Sequence, residues 1–133
     1  MIFVDTSFWV AYRNRADAHH ADALTLMATH ADSGLFTSNH VRGETWTFLR
    51  RRVGHHGASS FLDAIDQSPR ITLVFVERPL EDEASEWLRR HDEREYSFVD
   101  ATSFAVMRER RMTDALAFDG DFSAAGFVEL RSR

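Results

Sequence analysis

The chain opens Met1-Ile2-Phe3-Val4-Asp5-Thr6-Ser7, an apolar strand that runs straight into an aspartate. The pattern returns near the other end, where Ala115-Leu116-Ala117-Phe118 runs into Asp119-Gly120-Asp121. In an open α/β sheet the ligand crevice lies outside the C-terminal ends of the strands. A chain that twice places acid there points to parallel strands and to carboxylates gathered around a divalent metal.

The remaining pattern agrees with such a sheet. Pro69 and Pro79 bracket residues 71–76, Ile-Thr-Leu-Val-Phe-Val, a nearly continuous apolar run of the kind expected for a strand buried on both faces. Short strands also fit residues 2–4, 35–37, 115–118 and 128–130. Between them, residues 17–31 place Ala21, Leu24, Met27 and Ala28 on one helical face behind an Asp17 cap. Residues 39–53 turn Val41, Thr45, Phe48 and Leu49 inward, with Gly54 as the stop. Residues 58–67, 80–91 and 98–110 read as further helices, and Gly54-His55-His56-Gly57 as the turn between two of them. Strands alternating with helices predict a three-layer α/β/α sandwich with a mainly parallel central sheet of about five strands, built as one domain over residues 1–133.

Composition excludes several chemistries. There is no cysteine, so disulfides and thiolate sites are ruled out, in keeping with a reducing cytoplasm. No apolar run approaches a membrane span, and the apolar N-terminus is short and lacks a basic flank, so neither an anchor nor a signal peptide is expected. The net charge of -5 argues against a general nucleic-acid binder. All 16 basic residues are arginine, and the absence of lysine removes chemistry that needs a lysine amine.

Two more acids fall where helices face inward. Glu44 shares a helical face with Val41 and Phe48, and Asp100 heads the stripe that continues through Phe104 and Met107. Carboxylates are seldom buried unless paired or bound to metal. Two of them about 5 Å apart repel by about 3 kcal/mol at an effective dielectric of about 20. A divalent cation reverses that repulsion, and all-oxygen ligands suit Mg²⁺ or Mn²⁺. Such a site suits phosphodiester hydrolysis, because the metal acidifies a water and stabilises the leaving oxygen. Taken one at a time, each acid also has a local reading: Asp5 as a helix cap, Asp119-Gly120 as a turn, Asp100 as a dipole partner and Glu44 as a partner of Arg51.

Met1–Ser7, Val41-Arg42-Gly43-Glu44-Thr45, Ser97-Phe98-Val99-Asp100-Ala101 and Phe118-Asp119-Gly120-Asp121-Phe122 together resemble the ordered acidic blocks of a PIN domain. Their order and spacing are similar to those of the VapC toxins of bacterial toxin–antitoxin pairs. The resemblance implies a Mg²⁺- or Mn²⁺-dependent endoribonuclease, with Asp5, Glu44, Asp100 and Asp119 as the acidic positions and Asp121 as a variable fifth. It implies Thr6 or Ser7 as a hydroxyl at the metal, 5′-phosphate and 3′-hydroxyl products, a homodimer, and a VapB-type antitoxin partner.

Arg50-Arg51-Arg52 is a candidate RNA contact, although arginine at a helix C-terminus also satisfies the dipole. His40 stands one turn before Glu44, in reach of a metal-bound water, although the pattern favours an exposed surface histidine. Trp9, Trp46 and Trp87 read as core or interface aromatics. Receiver-type and haloacid-dehalogenase-type Mg²⁺ sites also use strand-tip aspartates, but both families rely on a lysine. A non-catalytic PIN-like RNA- or protein-binding domain stays open as the alternative.

Overall fold

The computed structural model describes residues 1–132. Strand β1 (Ile2–Val4) is buried throughout and lies mid-sheet. β2 (Leu35–Ser38) and then β3 (Ile71–Val74) lie on one side of it, β4 (Asp114–Leu116) and then β5 (Val128–Glu129) on the other. Every pairing is parallel, so the order β3-β2-β1-β4-β5 puts all C-terminal strand ends on one edge. The chain leaves β1 in one direction and later returns beside it in the other. The gap between the β1 and β4 tips is therefore the topological switch point, where such sheets form their crevice.

Seven helices connect and cover the strands: α1 (Thr6–Arg13), α2 (His20–His30), α3 (Asn39–Arg52), α4 (His55–Gln67), α5 (Arg78–Arg90), α6 (Phe98–Glu109) and α7 (Asp121–Ala124). The expected α/β/α architecture is the observed one. α6 is the most deeply placed, with every residue from Asp100 to Met107 buried. Phe104 sits among Trp87, Tyr96, Phe122 and Phe127, with ring centroids 4.9–5.7 Å away.

Four local expectations change. The run 71–76 is an edge strand and is not buried on both faces: Thr72 and Phe75 are exposed, Ile71 and Leu73 half-buried. Its apolar continuity arises because Val76 lies beyond the strand and turns inward, its N–H donating to Asn39 Oδ1 at 2.8 Å. α2 begins at His20, because Asp17 Oδ1 accepts from the His19 N–H (2.8 Å) in the turn before it. That helix buries Ala23 and Leu26 and leaves Leu24 exposed; its sequence offers two overlapping apolar stripes, and of the four residues expected inward only Met27 packs on the core. Between α3 and α4, Val53 and Gly54 make the turn, Gly54 at φ +115°, and His55, His56 and Gly57 already belong to α4. Periodicity also failed to delimit α1, whose Thr, Phe, Trp and Val favour strand; its start is set by the Asp5 cap. Among the described residues no helix is long and apolar enough to cross a membrane.

Candidate active site

Asp5 follows β1 directly, and its N–H donates to the Leu116 carbonyl of β4 at 3.0 Å. Its side chain caps α1: Oδ2 accepts from the Ser7 hydroxyl (2.7 Å) and the Ser7 N–H (3.2 Å). Ser7 Oγ in turn accepts from the Phe118 N–H at 3.0 Å, which ties the tip of β1 to the chain leaving β4. Asp100 forms a reciprocal capping box at the head of α6, accepting from the Ser97 N–H at 3.0 Å while Ser97 Oγ accepts from its own N–H at 2.9 Å. Asp119 Oδ1 accepts from the Asp121 N–H at 3.2 Å. Each acid thus has a backbone N–H to satisfy locally, and each also offers an oxygen to the same space. Ligand atoms from Asp5, Asp100 and Asp119 all lie within 4.8 Å of one another.

The three carboxylates strain each other electrostatically. Asp5, fully buried, has its pKa raised well above the ordinary value, first by desolvation and then by the charge of Asp119; the Ser7 hydrogen bonds oppose the rise. Desolvation lifts Asp100 to about 7, against the Ser97 N–H and with help from Asp121 and Asp119. Desolvation lifts Asp119, the solvent-facing member, to about 6. Carboxyls with raised folded-state values bind more protons folded than unfolded, so their contribution to stability is greatest below about 3.8 and is lost as pH rises through about 6 and 7. In a chelator, the wild-type melting temperature is expected to fall between pH 5 and pH 8, with a shallower fall in Asp100→Asn. Equal slopes in the two proteins would contradict this reading.

The cluster floors a cleft of about 460 Å³ that is also lined by Thr6, Ser7, Glu44 and Asp121. Glu44 is therefore in the cleft but outside the close cluster. Of the two candidate hydroxyls, Ser7 is committed to Asp5 and Phe118, whereas the buried Thr6 Oγ1 has no hydrogen-bond partner among the described residues. Asp121 is held at 2.6 Å by Arg94 Nε, and Arg94 also donates to the Asp119 carbonyl at 3.0 Å. Of the arginine run, Arg52 lines the cleft, its guanidinium 5.0 Å above the Phe48 ring, and Arg50 and Arg51 do not. His40 is not at the site: its Nε2 pairs with Glu81 at 2.8 Å. Trp9 and Trp87 are core residues, and Trp46 is half-buried against His55.

Sequence reasoning missed three residues around these acids. Arg94 lay in a mixed charged stretch that reads as solvated surface. Glu129 hides in a two-residue strand, yet its side chain is buried and accepts from the Ser123 N–H (2.9 Å), the Gly120 N–H (3.3 Å) and Arg131 (2.7 Å), fixing the loop that carries Asp119. His19 lines the cleft with its ring stacked on Phe118. Only tertiary contacts single these out.

Comparison with known proteins agrees with the geometry. The sequence matches the PIN domain family over residues 2–128. It is 59% identical over 131 residues to the 23S rRNA-specific endonuclease VapC20 of Mycobacterium tuberculosis, in strains CDC 1551 / Oshkosh and ATCC 25618 / H37Rv, covering 98% of each chain. The crystal structure of M. tuberculosis VapC20, described as a Sarcin-Ricin loop cleaving toxin, has a TM-score of 0.95 at 57% identity and covers 99% of this chain and 100% of its own. FitAcB from Neisseria gonorrhoeae has a TM-score of 0.66 at 15% identity over 98% of this chain and 96% of its own, a likeness of fold alone. The acids at the β1 and β4 tips and the near full-length kinship lead to one assignment: the chain belongs to the PIN-domain family, and within it to the VapC type.

Proposed function

We propose that this chain is a divalent-metal-dependent endoribonuclease, the toxin of a toxin–antitoxin pair, acting on the sarcin–ricin loop of 23S rRNA. The observation that carries the reading is the convergence of Asp5, Asp100 and Asp119, three carboxylates too close together to ionise comfortably without a cation. The kinship to VapC20 supports the choice of substrate.

The donor set fits Mg²⁺ or Mn²⁺, since every candidate ligand is oxygen. Asp5, Asp100 and Asp119 would hold it, with the unpartnered Thr6 hydroxyl beside them. A bound ion would supply Lewis-acid activation of water and neutralise charge developing on the phosphate. Glu44, in the cleft but outside the cluster, is the acid we assign to accept a proton from the attacking water. Asp121, turned to Arg94, orders the Asp119 loop. In this reading water attacks the phosphorus, the ribose 3′-oxygen leaves and takes up a proton, and a 5′-phosphate and a 3′-hydroxyl result; no side chain serves as nucleophile. The same reading makes the protein a cytoplasmic homodimer that binds a VapB-type antitoxin.

The test is incubation of a synthetic sarcin–ricin RNA hairpin with the purified protein in Mn²⁺ or in excess EDTA, followed by end mapping. One major cut with 5′-phosphate ends, absent in EDTA, is expected. Equal cutting in EDTA, or cyclic-phosphate ends, would contradict the proposed chemistry. A Mn²⁺-dependent thermal shift without any cut would favour the non-catalytic alternative.

A further inference from the structure

The cleft that must receive RNA is a poor place for a polyanion. Among the described residues seven carboxylates line it, and Arg52 is the one arginine. Arg52 and a divalent ion among the acids offset only part of that charge, which favours uncharged contacts for the rest of the hold on RNA. The wall opposite Arg52 in chemistry is aromatic. The His19 imidazole lies parallel to the Phe118 ring, with centroids 4.5 Å apart and an interplanar angle of 5°. Phe118 is braced from below by Phe8 at 5.7 Å and 19°, and the Arg131 guanidinium sits 5.7 Å from its ring centre. His19 itself is exposed and lines the cleft, which leaves the face turned away from Phe118 accessible.

The turn beneath His19 is firmly made. Asp17 Oδ1 accepts from the His19 N–H at 2.8 Å, Asn14 Oδ1 from the Ala16 N–H at 3.1 Å, and the next residue, His20, is bonded through Nδ1 to the Ala11 carbonyl at 2.7 Å. An ordered planar ring, supported on one side and open on the other, next to Asp119 in the chain through Phe118, is what a nucleobase needs to stack on. Stacking costs no charge and tolerates an acidic wall.

We propose that His19, seated on Phe118, is a nucleobase platform that positions the RNA nucleotide flanking the scissile phosphate. This rests on the ribonuclease reading above and adds a substrate-positioning residue to it. Because the contact is to the base, His19 governs binding of RNA and leaves the acidic cluster untouched.

The experiment is steady-state cleavage of the same sarcin–ricin hairpin in Mn²⁺ by wild type, His19→Ala and His19→Phe, with the Mn²⁺-dependent thermal shift as a check on folding and on the acids. His19→Ala is expected to raise KM by about tenfold, the scale of one base stack, with kcat within about threefold. His19→Phe, which keeps a ring, is expected to restore KM to within about threefold of wild type. An unchanged KM in His19→Ala, a loss confined to kcat, or a His19→Phe variant as weak as His19→Ala would each overturn the platform. If wild type itself leaves the hairpin intact, the ribonuclease reading fails first, which separates the two outcomes.

Discussion

Asp5→Asn is expected to lower RNA cleavage by at least about a hundredfold, beyond the loss typical of a residue that merely supports a metal ligand. Asparagine is nearly isosteric and caps a helix as well as aspartate does, so the contact with Ser7 that starts α1 survives in the variant. What is lost is one anionic oxygen in a group of three. The same change removes a charge that burial and Asp119 both disfavour. Metal-free Asp5→Asn should therefore melt higher than metal-free wild type at pH 8, while its Mn²⁺-dependent shift shrinks. Activity and stability moving in opposite directions is the signature of a site that trades stability for metal binding. A variant within a few-fold of wild-type activity, or one that melts lower without metal, would argue that Asp5 is only a cap.

Phe104→Ala is expected to destabilise the fold by about 3–5 kcal/mol, the usual loss for a large aromatic removed from a packed core. Phe104 is fully buried and touches Trp87 from α5, Tyr96 from the loop before α6, and Phe122 and Phe127 around α7. Domains of this kind have roughly 5–15 kcal/mol in total, so the loss is a large share. Urea unfolding measures it through the midpoint at constant slope. The change also reaches the site, because α6 begins with the capping box of Asp100 one turn earlier, and α7 follows Asp119. Metal binding should weaken along with stability. A cost below about 1 kcal/mol would mean that the helices around α6 close over the gap.

The acids were legible in the sequence because each stands at an element boundary where local pattern is strong. Asp5 and Asp119 end apolar runs, and Asp100 starts an apolar stripe. Three of the local readings hold as well: Asp5 caps α1, Asp100 stands in the first turn of α6 and closes a capping box, and Asp119 makes a turn, whereas no Glu44–Arg51 ion pair forms among the described residues. Cap and ligand candidate are not rival roles, since a carboxylate has two oxygens and these positions need one for the backbone. Glu44 is expected from the sequence among the metal-holding acids; the structure puts it on the wall of the same cleft but outside the close cluster, because a helical face does not fix how far a side chain reaches. His40, within reach of the site on spacing but favoured as a surface residue, faces Glu81 of α5 instead. Strand 71–76 was misjudged for a similar reason. An apolar run reports composition, and only the strand order reveals that one side has no neighbour. Arg94 acts through partners 25 and 27 residues away and His19 through one 99 away, and no window along the chain contains those pairs. Glu129 has its partners 2 to 9 residues off, but a two-residue strand is too short for periodicity to mark its side chain as inward.

The proposed ribonuclease stands on Asp5, Asp100 and Asp119 together holding a divalent cation. Crystals of the protein soaked in Mn²⁺ test it directly through anomalous scattering. The strongest peak is predicted between those three carboxylates and is predicted to vanish in Asp5→Asn. No peak there, or Mn²⁺ found only on surface acids such as Glu81, Glu83 and Glu86, would contradict it.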